Sequence, residues 1–471
     1  MRIRCPILVL LIALSARADV IHLKNGRTIW ADQVREDKNK DRVEYDVGDD
    51  TYAIPKSSIE RIDAGGVSPG RSGVGESSAL PDFTPPAPTF REQDNVAGKI
   101  IRDGKVDTEA LAGLEQAGNP EAAATGYFLA GQFESDHGNF PQAKHYYESA
   151  LHFQPDNSTL LIYYAAALLR IGQAPQALPY AERAARAAPD SPDALAMLAF
   201  VQSASDHTPD AIRSWKKSLA LRPDATVSKY LERAERESRA ESDFSQRESS
   251  HFNLHFEGDE TSESFRRDLL ATLDSDYDDL VRDFSYSPRN TIVVTLYTKQ
   301  TFFDVTRAPS WSGAINDGKL RIPVSGMASI SPELARVLKH ELTHSFVAQM
   351  SSNRCPTWLN EGIAQLEEGK SSATNGRALA QLFGAGAEIP YNRLEGSFMN
   401  LSGPEASTAY AESLAAVEYI RDTYGMGDIQ RILERLSQGG ATEATLRGTV
   451  HSDYGQLRDE MARWLADTYG R

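Results

Sequence analysis

The segment "KHELTHSFVAQM", residues 339–350, carries two histidines and a glutamate in a spacing that suits metal chemistry. His340 and His344 are four residues apart, so on a helix their imidazoles are one turn apart and point to the same side. Two imidazoles placed in this way can take two corners of a tetrahedral zinc site. Glu341, beside the first histidine, could then remove a proton from a water molecule as a general base.

A candidate third ligand follows in "CPTWLNEGIAQLEEG". It is Glu361, which sixteen intervening residues separate from His344. That length allows the first helix to end, the chain to turn, and a second helix to return antiparallel with its carboxylate facing the imidazoles. Gly362 would let the two backbones come close. Two histidines and one carboxylate leave a fourth position open, which is typical of catalytic zinc. The alternative is a structural helix whose histidines are solvated.

These two motifs resemble those of the gluzincin metallopeptidases, the clan of thermolysin and related aminopeptidases. The resemblance rests on H-E-x-x-H and on "WLNEG", residues 358–362, and it covers about residues 250–425. It implies one zinc ion per chain at His340, His344 and Glu361, with Glu341 as general base. The spacing is shorter than in the large aminopeptidases and a G-x-M-E-N segment is absent, so exopeptidase action is not implied.

The resembling families often supply a tyrosine that stabilises the oxyanion from a helix after the third ligand. In "TAYAESLAAVEYIRDTYG" this would be Tyr410, for which a packing role is the alternative. We interpret Glu368, two turns past Glu361, as a solvated surface acid, with orientation of a ligand as the alternative. Cys355 is interpreted as a small buried residue rather than a ligand.

An α+β domain over residues 250–471 is predicted to position this site. Its first half alternates strands with a helix, and its second half is helical. The helix that carries the two histidines begins at Ser331, a capping hydroxyl followed by proline, and can run to Met350. A strand over 319–324 is either an edge that pairs with substrate backbone or an interior strand.

Residues 94–245 contain a repeat of thirty-four residues. Pro155-Asp156, Pro189-Asp190 and Pro223-Asp224 recur at that spacing, which is the period of tetratricopeptide repeats. The segment resembles that family over 124–225, and the resemblance implies an α-solenoid of helix pairs. We predict that it binds a protein partner, with a spacer as the alternative.

The N-terminal part is predicted to comprise three segments. Residues 1–18 have a positive start, a short apolar run and an A-x-A site, as in a secretory signal peptide. Residues 19–63 alternate as strands with turns such as Asn25-Gly26, which predicts a small all-β, SH3-like barrel. Residues 64–93 are rich in Gly, Ser and Pro, and are predicted to form a linker.

The formal net charge of −16 argues against non-specific binding to nucleic acid or to anionic membranes. No stretch after the signal is long and apolar enough to predict a transmembrane helix. The two cysteines, one of them in the signal, exclude an internal disulfide framework.

The sequence therefore predicts a multidomain, bacterial, periplasmic or secreted zinc metallopeptidase that cleaves a peptide or protein substrate and recruits proteins through its repeats. The alternative is a cell-envelope scaffold, or interaction protein, whose peptidase-like domain is inactive.

Overall fold

The structure is a computed structural model that describes 17–24, 28–31, 33–36, 41–47, 50–67, 93–102, 104–258, 260–306, 314–324, 327–398, 401 and 403–470. The predicted signal peptide lies outside these residues apart from its last two, and so do the turn residues Asn25 and Gly26 and most of the predicted linker. The chain divides into two compact units. The first holds the N-terminal strands, and the second holds nearly all the remaining elements.

In its described part, the N-terminal unit contains two antiparallel three-stranded sheets. Its strands are β1 (Arg17–Leu23), β2 (Thr28–Ala31), β3 (Gln33–Glu36), β4 (Arg42–Val47), β5 (Asp50–Pro55) and β6 (Ile59–Val67). The sheet orders are β2-β1-β6 and β3-β4-β5. Alternate apolar residues such as Ile21 and Tyr45 form a small core. The strands were predicted from this alternation, but no pairing among the described strands closes a barrel.

Helix pairs form the solenoid in the second unit. It begins with α1 (Gln93–Ile100), the short strands β7 (Ile101–Arg102) and β8 (Lys105–Val106), and α2 (Thr108–Gln116). The pairs are α3 (Pro120–Asp136) with α4 (Phe140–Phe153), α5 (Ser158–Arg170) with α6 (Ala174–Ala187), and α7 (Pro192–Ala204) with α8 (Thr208–Leu221). Helix α9 (Ala225–Ala240) follows. We call α3 to α9 the array.

The thirty-four-residue period has a packing cause. Ala143, Ala177 and Ala211 occupy equivalent positions on the second helix of each pair, and each is fully buried. A side chain this small lets neighbouring helices approach, so the faces that a single pair cannot bury become one continuous core. The predicted helical repeats are confirmed.

A five-stranded mixed sheet opens the C-terminal region. Its elements are β9 (Phe244–Glu248), β10 (Phe252–Glu257), α10 (Glu263–Phe284), β11 (Ile292–Tyr297), α11 (Lys299–Thr306), β12 (Ile315–Asn316) and β13 (Leu320–Pro323). The order is β12-β13-β11-β10-β9. Strand β13 is therefore interior, since it pairs with both β11 and β12. Of the two positions considered for 319–324, the edge is wrong, because the turn at Asp317-Gly318 folds the short β12 back outside it.

Helices complete this region, as predicted for an α+β domain. They are α12 (Pro332–Met350), α13 (Thr357–Glu367), α14 (Gly376–Gly384), α15 (Gly403–Tyr424), α16 (Met426–Ser437), α17 (Thr442–Val450) and α18 (Tyr454–Tyr469). No helix in the described part of the chain is both long and apolar enough to cross a membrane.

Candidate metal centre

Helix α12 places the two histidines side by side. It begins as predicted, with the Ser331 hydroxyl accepting a hydrogen bond from the amide of Leu334 at 3.1 Å and proline at the first helical position. Leu338 and Leu342 are fully buried and fix the rotation of the helix against the core. The rings of His340 and His344 are then 4.8 Å apart and nearly perpendicular.

Helix α13 brings the carboxylate of Glu361 to the two imidazoles. Its oxygens lie 3.6 Å from Nε2 of His340 and 3.8 Å from Nε2 of His344. The ligand atoms of the three residues all lie within 4.8 Å of one another. A β-carbon at Gly362 would lie 2.4 Å from the carbonyl oxygen of Ser413, so α15 packs directly against the backbone of α13. His344 contacts Asn360 and His340 contacts Glu368, so α13 returns antiparallel to α12, as inferred from the spacing.

Each imidazole is held through its other nitrogen. Nδ1 of His344 lies 2.9 Å from Oδ1 of Asn360, and Nδ1 of His340 lies 3.2 Å from Oε1 of Glu368. Hydrogen bonds at Nδ1 fix the ring orientation and leave Nε2 for a metal. The interpretation of Glu368 as a solvated acid is wrong, because the residue is 9% exposed and also pairs with Lys370 at 2.7 Å. Sequence analysis could have found Asn360, because this residue directly precedes Glu361 in "WLNEG".

The donor atoms that face one another are buried and unpaired. Nε2 of His344, both carboxylate oxygens of Glu361 and Oε2 of Glu341 have no hydrogen-bond partner among the described residues. A buried polar atom without a partner is costly, and a buried carboxylate more so. A divalent cation would remove this cost, and two imidazoles with one carboxylate are the donor set of catalytic zinc. The residues therefore fit a zinc ion.

Burial and neighbouring carboxylates set the protonation of the histidines. Burial lowers the pKa of His340, but the carboxylates of Glu361 and Glu368 outweigh it and raise this pKa to about 10. For His344, burial dominates and lowers the pKa. The two histidines thus differ because only His340 has a carboxylate on each side.

Glu341 lies beside the cluster and is 4% exposed. Burial raises the pKa of its carboxyl group to about 8, although a hydrogen bond from the backbone of Asn316 acts in the opposite direction. A pKa near the working pH suits a group that must accept and then release a proton. Sequence reasoning missed the contact with Asn316.

Tyr410 and Cys355 are two further residues singled out by sequence. The carbonyl of Tyr410, on α15, accepts a hydrogen bond from Nε2 of Gln365 at 3.0 Å. This places its backbone beside α13, one turn past Glu361, while the role of its hydroxyl stays a prediction. Burial raises the pKa of the Cys355 thiol well above its usual value, and Cys355 is not part of the metal cluster.

Two family models match the chain. The model described as Peptidase MA superfamily matches residues 280–467, which include the two histidines, Glu341 and Glu361. The model described as Tetratricopeptide repeat matches residues 135–199. No curated protein matches the sequence significantly.

Several solved structures are similar to part of the chain. The Arabidopsis OM64 TPR domain is 18% identical, covers 25% of this chain and 97% of its own, and has a TM-score of 0.24. MamA from Desulfovibrio magneticus RS-1, residue 41 to the end, is 22% identical with coverages of 28% and 76% and a TM-score of 0.25. YrrB, titled a TPR protein with an unusual peptide-binding site, is 24% identical with coverages of 25% and 60% and a TM-score of 0.22.

The His340, His344 and Glu361 cluster thus lies inside the segment that the peptidase model matches, and the helix pairs contain the segment that the repeat model matches. The chain carries tetratricopeptide repeats followed by a domain of the Peptidase MA superfamily.

Proposed function

We propose that the C-terminal domain is a zinc-dependent metallopeptidase that hydrolyses peptide bonds in a peptide or protein substrate. The observation that carries this proposal is the cluster of His340, His344 and Glu361, whose ligand atoms lie within 4.8 Å of one another, with Nε2 of His344 and both oxygens of Glu361 buried and unpaired among the described residues. A domain kept for its shape alone would have apolar residues or hydrogen-bonded pairs at these positions.

Each residue has a distinct task in this mechanism. His340, His344 and Glu361 would hold the ion, which when bound would polarise the scissile carbonyl and allow water to attack at neutral pH. Glu341 removes the proton from the attacking water and passes it to the leaving amine. The hydroxyl of Tyr410 stabilises the oxyanion of the tetrahedral intermediate.

The remaining parts of the chain provide the setting for this activity. We propose that the repeats recruit a protein, either substrate or partner, and that residues 1–18 direct the chain to the periplasm or outside a bacterial cell. The proposed domains are a small β domain, SH3-like, at 19–63, a linker at 64–93, the repeats at 94–245 and the peptidase at 250–471. Nothing in this proposal involves nucleic acid.

Zinc content is the first test. The purified protein is expected to hold about one zinc ion per chain, because three protein ligands and an open fourth position make one complete site. His344→Ala is expected to lose it, whereas His207→Ala, in a repeat turn far along the chain from the cluster, keeps it. An equal zinc content in the parent and in His344→Ala would contradict the site.

Hydrolysis by Glu341→Gln is the second test. The variant is expected to retain zinc and to lose cleavage of a fluorescein-labelled, unfolded protein by about 100- to 10,000-fold, the usual contribution of a general base. Glu333→Gln, in the exposed first turn of the same helix, serves as the matched control. Cleavage by Glu341→Gln at the rate of the parent would show that this mechanism is wrong.

The scaffold hypothesis makes the opposite prediction for both tests. It is favoured if the protein holds no zinc and cleaves nothing while its repeats still bind a partner.

A further inference from the structure

One edge of the array is fixed to the C-terminal domain. The turn between the two helices of each repeat contacts this domain, and the turn residues Gly138, Gly172 and Asp206 share a left-handed backbone with φ of 71°, 73° and 62°. The contacts are Arg354 to the carbonyl of Gly138, Asn290 to the carbonyl of Gly172 at 2.9 Å, and Lys319 to the carboxylate of Asp206 at 2.6 Å. Because the turns recur every thirty-four residues, consecutive repeats contact the domain through the same turn.

The array also covers one face of the five-stranded sheet. Strand pairing aligns His255, Thr295 and Arg321 across β10, β11 and β13, and all three are buried. Arg321 donates to Glu237 of α9 at 2.8 Å and to the hydroxyl of Tyr297 at 2.7 Å. A guanidinium that is 2% exposed is tolerated only when its charge and its donors are all matched.

This ionic network continues into the turn between β12 and β13. Nε of Arg321 lies 2.9 Å from Oδ1 of Asp317. Asp317 also pairs with Arg233 of α9, whose Nε lies 3.2 Å from Glu237. Helix α9 therefore holds Asp317 in place from the array side.

The neighbouring residue, Asn316, contacts the proposed general base directly. Its Nδ2 donates to the carbonyl of Glu341 and to Oγ of Ser345, each at 2.7 Å. Its Oδ1 accepts from the amide of Gly318 at 3.1 Å, which fixes the carboxamide in the turn. Its backbone also hydrogen-bonds to the carboxyl group of Glu341. Asn316 thus binds Glu341 at both ends, backbone and carboxylate.

We propose that Asn316 is a positioning residue for Glu341, and that helix α9 supports it through Arg233 and Asp317. The inference rests on the proposed function, since it concerns the group that moves the proton. In consequence the array contributes to the rate of hydrolysis itself, and not only to the capture of substrate.

Kinetics of full-length variants test this role. Asn316→Ala removes the carboxamide, and Asn316→Asp keeps its volume and the oxygen that Gly318 contacts but loses the two donated hydrogen bonds. Both are expected to lower kcat by about 10- to 100-fold on an unfolded, labelled protein, since small displacements of a catalytic group have effects of this size. KM and zinc content are expected to stay at the parental values.

Two matched controls separate positioning from general damage. Asn290→Ala also removes a carboxamide that donates to a backbone carbonyl of the array, here that of Gly172 and not one of α12. Arg233→Met is expected to lower kcat less than Asn316→Ala. Arg183→Met, which breaks an exposed pair within the array, is expected to leave kcat unchanged.

Hydrogen exchange in α12 gives a readout that does not depend on activity. Amides around Glu341 are expected to exchange faster in Asn316→Ala and Arg233→Met than in the parent and both controls, because the helix loses a lateral restraint. Parental exchange and parental kcat in Asn316→Ala would overturn the inference, and so would a loss of zinc, which would assign Asn316 to the metal site instead. If the parent held no zinc or cleaved nothing, the proposed function would fail, while the exchange data would still decide whether α9 supports α12.

Discussion

At the scale of single residues, the candidate site depends on which nitrogen each histidine turns inward. Asn360 and Glu368 bind the Nδ1 atoms, so both Nε2 atoms face Glu361. The two supports differ in charge. Asn360 is neutral, whereas the carboxylate of Glu368 makes the His340 imidazole more basic and hence a stronger donor to a metal.

Loss of the Glu368 charge is expected to weaken metal binding. Glu368→Gln should lower zinc affinity by about 10- to 100-fold, the usual effect of changing a residue that orients a metal ligand. Competition with a chelator of known affinity measures it. Glu367→Gln is the control, because the neighbouring carboxylate interacts with Asp283 rather than with a histidine. Equal affinities in the two variants would contradict the role of Glu368.

Glu412 lies outside the site, and its buried carboxyl group is expected to make the stability of the fold depend on pH. It is 1% exposed, and burial raises the pKa of its carboxyl group to about 7, although the amide of Ile389 acts in the opposite direction. A carboxyl whose pKa is higher in the folded than in the unfolded state favours folding below its unfolded pKa, and this contribution is lost as the pH rises through the folded pKa.

Glu412→Gln removes this titration and keeps an oxygen for the amide of Ile389. The variant is expected to melt at a higher temperature than the parent above pH 7 and at the same temperature below about pH 4.5, the usual pKa of a glutamate side chain. Each kcal/mol corresponds to about 2–4 °C in a domain of this size. Glu434→Gln, at an exposed position, should show no such difference between the two pH values. A constant offset at all pH values would point to packing instead of charge.

At the scale of elements, the site is a pair of helices held at a fixed distance. Helix α12 supplies both histidines, and α13 can supply Glu361 only because α15 supports its other side. At Gly362 the two helices are in close contact, with Ser413 and Val417 of α15 against the glycine. A small residue is thus needed next to the third ligand.

A methyl group at Gly362 is expected to move Glu361. Gly362→Ala would place its β-carbon 2.4 Å from the carbonyl of Ser413 and 2.5 Å from Val417. Such overpacking typically destabilises by about 1–3 kcal/mol, and we expect weaker zinc binding with it. Urea unfolding and zinc content measure the two effects.

Gly384→Ala provides the matched change for this experiment. It introduces the same methyl group in helix α14, where nothing lies within 4 Å of the added carbon. Alanine also has the higher helix propensity, so stability should stay equal or rise. Equal effects of the two substitutions would mean that the contact between α13 and α15 is not tight.

At the scale of the whole second unit, the array packs directly against the C-terminal domain. Asp206 and Glu237 of the array, and Glu241 directly after α9, pair with the basic residues Lys319 and Arg321 of the sheet. Their pairing is reflected in pKa values. Burial opposes the charge of Arg321, but Asp317 and Glu237 outweigh it and raise its pKa well above the usual range.

Removal of Arg321 is expected to destabilise the whole unit. Arg321→Met leaves buried carboxylates without their partner, and losing one member of a buried pair costs about 3–5 kcal/mol. Denaturant unfolding followed by fluorescence measures this. Arg421→Met, which breaks a more exposed pair with Asp422, should cost about 0–1 kcal/mol. If the two variants were equally stable, the array would not be anchored through Arg321.

The sequence by itself determined the features that depend on local spacing. A separation of four residues places His340 and His344 on one side of any helix, and thirty-four residues is the length of one helix pair whatever surrounds it. Glu361 could be assigned because its segment resembles a known one and the chain between the helices is short. The same local patterns predicted the helix start at Ser331 and the strands of the sheet.

The tertiary structure decided everything that joins residues distant in the chain. Asn316 and Glu341 are 25 residues apart, and Glu237 and Arg321 are 84 apart. The order of the strands places β13 inside the sheet. Glu368, predicted to be a surface acid, is buried and contacts His340. These outcomes follow from which surfaces meet when helices, strands and repeats pack together, and no periodicity within one segment specifies its partner.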